Sequence, residues 1–285
     1  DITTQAVVQK KSRVEEAIFI AKANGVLCGL QEAEAILEDG GLDFESGKME
    51  GNILKKGDII AKVRGNIEEI LKRERTALNY LQVLSGIATA TYKLVNRYPG
   101  KISSLRKTHP GLSYCEKRAV KVGGGFTHRI SLDDGFLIKD NHLAAITREM
   151  FGDDPINEEK KVKAIREALK RAKQYWIENK LENCFIEVEV ESLIQAISAA
   201  KFYRSERVPD MILLDNMKPE DVAVCVKAIR RAAGREILIE SSGGVTPKNI
   251  CDYIKTGVDI VSTSKLTLSA EPLDINMKIV GYKMG

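Results

Sequence analysis

The sequence is poor in side chains that bind soft metals or cross-link a fold. Of 285 residues, three are histidine, five cysteine, seven proline and one tryptophan. Cys28, Cys115, Cys184, Cys225 and Cys251 lie far apart, with no C-x-x-C pair and an odd total. That usage argues against a disulfide framework and predicts reduced thiols in a cytoplasmic protein. His109, His128 and His142 have neither helical H-x-x-x-H spacing nor cysteine partners, so a Zn²⁺ site is not expected. No apolar run approaches the roughly 18 residues of a membrane span, and no signal peptide is visible. Because residue 1 is Asp rather than Met, some upstream sequence is expected to be missing. A large excess of one charge is lacking too: 44 basic residues against 40 acidic leave a formal net charge of +4. The densest basic spots, Lys55-Lys56, Lys72-Arg73 and Arg230-Arg231, sit near glutamates or on helical polar faces without interleaved aromatics. They read as solvated surface rather than a nucleic-acid footprint.

What is present is an ordinary folding composition, 44% hydrophobic and 29% charged, on a chain long enough for two domains. The first third alternates strand-like runs with turns, in "EEAIFIAKANGVLCGL" and again in "GNILKKGDIIAKVRG" around Lys56-Gly57-Asp58, which predicts an antiparallel sheet. From Glu68 to about Asn96 apolar residues recur at helical spacing, giving one long helix or two abutting ones that stop at Pro99-Gly100. Beyond Pro99 strand-like runs alternate with helices, including one at Glu158 to Asn179 and one from Pro219 to Gly234. The strand candidates are "ISSLRKT", "FLIKDN", "FIEVEV", "MILLDN", "ILIESSGG" and "DIVSTSK", with a weaker one at "FTHRIS". This order fits a parallel barrel or a doubly wound sheet. Polar residues cluster at the ends of these runs: Arg106-Lys107, His128-Arg129, Lys139-Asp140, Glu189, Asp215, Ser241-Ser242 and Ser262 to Ser264. Barrels converge strand ends on one site, so the incomplete, seven-strand barrel is the favoured reading.

Sorted by charge, these ends make a cationic half (Arg106, Lys107, His128, Arg129, Lys139) and an anionic half (Glu189, Asp215). The first suits a small substrate bearing carboxylates, because a guanidinium can grip a carboxylate with two parallel hydrogen bonds. The second suits Mg²⁺ with phosphate oxygens and water. "ESSGGVTP" adds hydroxyls and a Gly243-Gly244 turn whose amides can approach a phosphate. Plainer readings stand beside each. Glu187, Glu189 and Glu191 alternate as the polar face of an amphipathic strand would; Asp215 could cap a helix; Gly123 to Gly125 suit a turn. Lys139 is harder to dismiss, since an ammonium after "GFLI" is costly unless paired or used. It also leaves a Schiff-base lyase open.

The segments "DITT", "ERTALNYLQVLSGIAT", "RKTHPGL", "EKRAVKVGGGFTHR", "LIKDNHL", "IEVEVES", "ILLDNM", "ESSGGVT" and "GVDIVSTSKLTLSAEPLDINMKI" run in the order found in one family and cover nearly the whole chain. On them the sequence resembles the quinolinate phosphoribosyltransferases, also called nicotinate-nucleotide pyrophosphorylases (carboxylating). The resemblance implies an α/β protein of type II phosphoribosyltransferase-like fold. Residues 1–98 would form an open-faced α/β sandwich, with 271–285 a candidate to pack back on it, and 99–270 an α/β barrel of fewer than eight strands. It implies quinolinate and phosphoribosyl pyrophosphate as substrates, Mg²⁺ as cofactor, and a homodimer or higher assembly of dimers in which Arg75 crosses to the neighbour's site. Arg75, Arg106, Lys107, His128, Arg129 and Lys139 match quinolinate-binding positions. Glu189 and Asp215 match carboxylates serving Mg²⁺ and the ribose-pyrophosphate, and Ser242, Gly243 and Ser264 match the phosphate segments. Departures are Ser104-Leu105 where Asp-Thr is usual, Ser264 for Gly and Leu268 for His, and a long, charged stretch from Thr147 to Asn183. A paralogue with another acceptor, such as nicotinate or a molybdate-linked one, and an RNA-binding module are the competing expectations.

Overall fold

The structure, a computed structural model, describes residues 1–8 and 13–280. The expected returning tail of 271–285 is therefore described to residue 280, and 281–285 lie outside. Two compact units emerge: one from 1–99, 107–127 and the residues from 266 on, the other from 100–106 and 128–265. Among the described residues no helix is long and apolar enough to cross a membrane.

The first unit begins with α1 (Ile2–Val7), β1 (Val14–Ala21), β2 (Gly25–Val26), α2 (Leu30–Glu38), β3 (Asp43–Ser46), β4 (Ile53–Leu54), β5 (Ile59–Asn66) and α3 (Ile67–Arg97). In β1 every second residue, Ala17, Phe19 and Ala21, is buried, the mark of a strand with one face on a core. The single long helix is α3. Asn66 caps it by accepting the Glu68 N–H, Glu68 and Glu69 sit in its first turn, and Ile70, Ala77, Leu78, Leu81, Leu84 and Ala88 line its buried face. The strand after the Asn24-Gly25 turn pairs with β4, while β1 pairs antiparallel with β5.

The second unit opens with β6 (Ile102–Ser103); α4 (Ser113–Val122) then belongs to the first unit. The chain continues through β7 (Gly135–Ile138), α5 (Asp140–Phe151), α6 (Glu158–Glu178), β8 (Phe185–Val190), α7 (Leu193–Glu206), β9 (Met211–Asp215), α8 (Pro219–Ala233), β10 (Leu238–Ser242), α9 (Ile250–Lys255), β11 (Ile260–Ser262) and α10 (Lys265–Leu268). The last strand, β12 (Ile275–Ile279), lies beside β1 in the four-stranded antiparallel sheet β12-β1-β5-β3 of the first unit.

Six parallel strands make the second sheet, in the order β6-β11-β10-β9-β8-β7. Within this sheet the first strand in chain order, β6, neighbours the last, β11, as closure of a barrel requires, and the ring stays open between β6 and β7. "FTHRIS", the weaker strand expected between them, is not one. His128 takes a left-handed φ of 50°, and the Asp134 carboxylate accepts the N–H groups of Ile130 and Ser131. Side-chain bonds there replace a strand ladder.

Register sorts the side chains of this sheet. Leu137, Glu187, Met211 and Leu238 stand abreast, as do Glu189, Leu213, Glu240 and Ile260, and then Asp215 with Ser242 and Ser262 with Ser103. One face is thus rich in carboxylates and hydroxyls. The other carries Ile102, Ile138, Ile186, Val188, Val190, Ile212, Leu214, Ile239 and Val261, all buried, with α6 against β8 and α7 against β9.

Candidate active site

The polar face of the parallel sheet gathers its reactive groups at the carboxyl ends of the strands. Lys139 follows β7 directly, and its backbone N–H is accepted by His142 Nδ1 at 2.9 Å, which gives His142 the role of closing the first turn of α5. Asp215 ends β9. It does not cap the next helix, because Lys218 occupies that position with Pro219 in the first turn. Instead Asn216, at φ 52°, donates its side-chain amide to Asp215 Oδ2 (2.5 Å) and its backbone N–H to Ser242 O (3.0 Å). The turn after β10 follows at once: Gly243 and Gly244 have φ of 83° and 65°, and a Cβ on Gly243 would run into Asn216. The ends of β9 and β10 are therefore interlocked. Ser264 lies just past β11.

Three of the expected cations share one cavity of about 790 Å³, whose lining includes Arg106, Arg129, Lys139, Phe136, Tyr175 and Arg171. Arg129 is the most telling. It is only 6% exposed; its Nη1 donates to Gly135 O at 3.0 Å and its buried Nε has no partner. Among the described residues it makes no ion pair. Burial, and then the neighbouring Arg106, hold its pKa below the usual guanidinium range against the opposing pull of Glu187 and Asp134. A desolvated guanidinium lacking a carboxylate leaves an anion wanting. Lys107 and Arg75 fall in the first unit, both exposed, with Arg75 on α3 and the Lys107 carbonyl accepting the Thr267 hydroxyl at 2.7 Å.

His128 is nearly buried, its side chain 4% exposed. Nε2 lies 2.7 Å from Glu187 Oε2 and 3.8 Å from Glu240 Oε2, and Nδ1 accepts the Arg129 backbone N–H at 2.7 Å. Sequence reasoning missed these two acids as site residues. In "FIEVEV" the apolar members Ile186, Val188 and Val190 are buried against the helix layer, so the glutamates face the sheet's inner side and Glu187 is 0% exposed. The available signal was context, since a strand flanked by helices on a parallel sheet has no solvated face to fill.

Among the described residues, two places could hold a metal. His128, Glu187 and Glu240 offer donor atoms within 4.8 Å of one another. With Nδ1 accepting a hydrogen bond, however, a neutral imidazole carries its proton on Nε2, and that nitrogen cannot ligate. Glu189 and Asp215 fit better. Burial, and then the adjacent Asp215, push the Glu189 carboxyl up to about 7, with Asp140 and Glu191 adding to the effect and Lys139 opposing it. Two half-buried carboxylates, the charge of Asp215 raising the pKa of Glu189, suit an oxygen-seeking divalent cation.

Comparison with known proteins shows one family over nearly the whole chain. The sequence model described as "Quinolinate phosphoribosyl transferase, N-terminal domain" matches residues 1–85, and the one for the C-terminal domain of the same family matches 87–278. A protein of Methanothermobacter thermautotrophicus named "Probable nicotinate-nucleotide pyrophosphorylase [carboxylating]" is 36% identical over 289 residues, covering 99% of this chain and 94% of the relative. One of the same name from Archaeoglobus fulgidus is 36% identical over 271 residues, covering 93% and 94%. The solved nicotinate-nucleotide pyrophosphorylase of Francisella tularensis superposes with a TM-score of 0.79 at 30% identity, over 98% of this chain and 90% of that one.

Proposed function

From the premise that the chain belongs to the quinolinate phosphoribosyltransferase family, we propose that the cavity holding Arg106, Arg129 and Lys139 is where its acceptor acid binds. The protein is a pentosyltransferase of NAD biosynthesis, making nicotinate mononucleotide, pyrophosphate and CO₂ from quinolinate and phosphoribosyl pyrophosphate. The buried, unpaired guanidinium of Arg129 is the observation that carries the assignment. Two adjacent carboxylates on a planar ring need several converging donors, and a guanidinium fork beside a second arginine and a lysine supplies them.

The chemistry needs placement more than a nucleophilic side chain. The pyridine nitrogen donates its electron pair to C1 of the ribose as the bond to pyrophosphate breaks. The ring nitrogen, now cationic, draws in the electron pair left on C2 when the bond to the 2-carboxylate breaks and CO₂ departs, and C2 then takes up a proton. Arg106, Arg129 and Lys139 orient the ring, with Lys107 and Arg75 completing the cationic set. Ser242, Gly243 and Ser264 hold phosphate oxygens. Such positioning accounts for a large share of catalysis in this kind of displacement. Glu189 and Asp215 would hold Mg²⁺, which when bound offsets the charge of the leaving pyrophosphate. We assign Arg75 to the site of a second copy, which makes a homodimer the working unit. Free thiols at the described cysteines fit a reducing, cytoplasmic setting.

The test is incubation with quinolinate, phosphoribosyl pyrophosphate and Mg²⁺, measuring CO₂ and nicotinate mononucleotide beside a nicotinate control. Quinolinate-dependent release of both products is expected. Equal turnover of nicotinate, or none of quinolinate, would overturn the assignment.

A further inference from the structure

Outside the lining of the cavity lies a polar cluster for which the reaction above has no use. Glu187 and Glu240 are both fully buried on the inner face of the parallel sheet, on strands separated by β9. Glu240 Oε1 accepts the Ser262 hydroxyl at 2.5 Å, and Glu187 Oε1 is buried without a partner. Both carboxyls are aimed at one ring, His128, which packs T-shaped with Phe185 at a centroid distance of 5.5 Å and an interplanar angle of 90°. Two buried carboxyl groups around one imidazole are expensive to keep unless the ring's position matters.

The hydrogen bonds fix the ring's state. A neutral imidazole has one N–H, and since Nδ1 accepts from the Arg129 backbone, the proton sits on Nε2 and is donated to Glu187. Both nitrogens are thus engaged within the cluster, and His128 is not among the residues that line the cavity. His128 itself is held at φ 50°, a conformation L-residues avoid without support. The residue that follows this turn is Arg129, whose guanidinium enters the cavity and rests on Gly135 O.

We propose that Glu187, backed by Glu240, is a positioning residue that uses His128 as a neutral strut to fix the left-handed turn aiming Arg129 at the acceptor acid. His128 is thereby not a further cation on the substrate. The inference rests on reading the cavity as the acceptor-acid site.

The test compares Glu187→Gln, whose amide oxygen still accepts the Nε2–H bond, with Glu187→Leu, which cannot. Expected for Leu is a KM for quinolinate raised roughly tenfold, the scale of one lost buried hydrogen bond, with the KM for phosphoribosyl pyrophosphate within about twofold of wild type. The Gln variant should stay within about threefold on both. A role confined to stability would lower the melting temperature without splitting the two KM values. If Gln and Leu raise the quinolinate KM alike, negative charge rather than an acceptor is required and the neutral-strut proposal fails. It also fails if neither moves it or if both KM values rise together. Should the Leu variant not fold, nitrogen-15 NMR of histidine-labelled wild-type protein decides: His128 with a bare Nδ1 and a protonated Nε2 supports the proposal, and a doubly protonated ring overturns it. Absence of quinolinate turnover by the wild-type protein would instead sink the proposed function, a separable outcome.

Discussion

At the scale of single residues, the site is governed by charges held away from water. Arg129 has no carboxylate partner among the described residues, although it is buried beside Arg106. Arg129→Lys keeps the charge but replaces a planar five-donor fork with a point ammonium. We expect kcat/KM for quinolinate to fall by roughly tenfold to a hundredfold, the loss of one charge-assisted contact or two. Steady-state kinetics at saturating phosphoribosyl pyrophosphate would measure it, and a wild-type value would remove Arg129 from the grip. Glu189 gives a pH dependence. Its carboxyl is pushed up to about 7 by burial first and Asp215 second, so below that pH it holds a proton that a cation must displace. The Mg²⁺ concentration for half-maximal rate should therefore rise as pH drops from 8 to 6, by up to about tenfold per unit below the pKa. A flat Mg²⁺ requirement over that range would rule out Glu189 as a ligand. For stability the raised values of Glu189 and of Glu187, which burial pushes up to about 8, carry one sign. Their contribution is full below the ordinary carboxylate range and is lost as pH climbs through about 7 to 8.

Among the elements, the strand ends decide what was legible in advance. Lys139 stood out because a charge after an apolar run on a buried strand must be used, and Asp215 because a strand of four apolar residues ended on it. Glu187 was ambiguous for a physical reason. Alternation alone cannot distinguish a polar face turned to water from one turned into a barrel, and only the helix layer covering Ile186, Val188 and Val190 decides between them. "FTHRIS" misled in the opposite way, since its β-branched and aromatic residues carry strand propensity while local bonds from Asp134 impose a loop. The turn after β10 yields a prediction at this scale. Gly243 sits at φ 83°, and the space a methyl would need is taken by Asn216, whose backbone N–H holds Ser242 O and whose amide holds Asp215. Gly243→Ala should separate the ends of β9 and β10 and raise the KM for phosphoribosyl pyrophosphate about tenfold or more, with a lowered melting temperature, because strain of this kind costs roughly 1–3 kcal/mol. An unchanged KM would place the phosphate elsewhere.

For the whole molecule, chain order and compactness part company. A boundary drawn at residue 98 or 99 follows the change from antiparallel to alternating pattern, whereas contacts group 107–127 and the residues from 266 on with the first unit. Pattern in a sequence reports local period and not which distant segment a strand joins, so β12 beside β1 could be expected only through the resemblance. Arg75 is the sharpest case. In the sequence it is one more charge on a helix, and in the structure it is exposed on α3, in a different unit from Arg106, Arg129 and Lys139. Its assignment to a second copy's cavity can be tested without a structure of the assembly. Arg75→Ala and Lys139→Ala should each be nearly inactive alone. Mixed in equal amounts and allowed to exchange, half the dimers pair one variant with the other, and each such dimer regains one intact site, its lysine and its arginine coming from different subunits. The mixture should recover about a quarter of the wild-type rate per subunit. An Arg75 acting within its own chain would leave every site in the mixture one cation short, and activity would stay at the level of the separate variants.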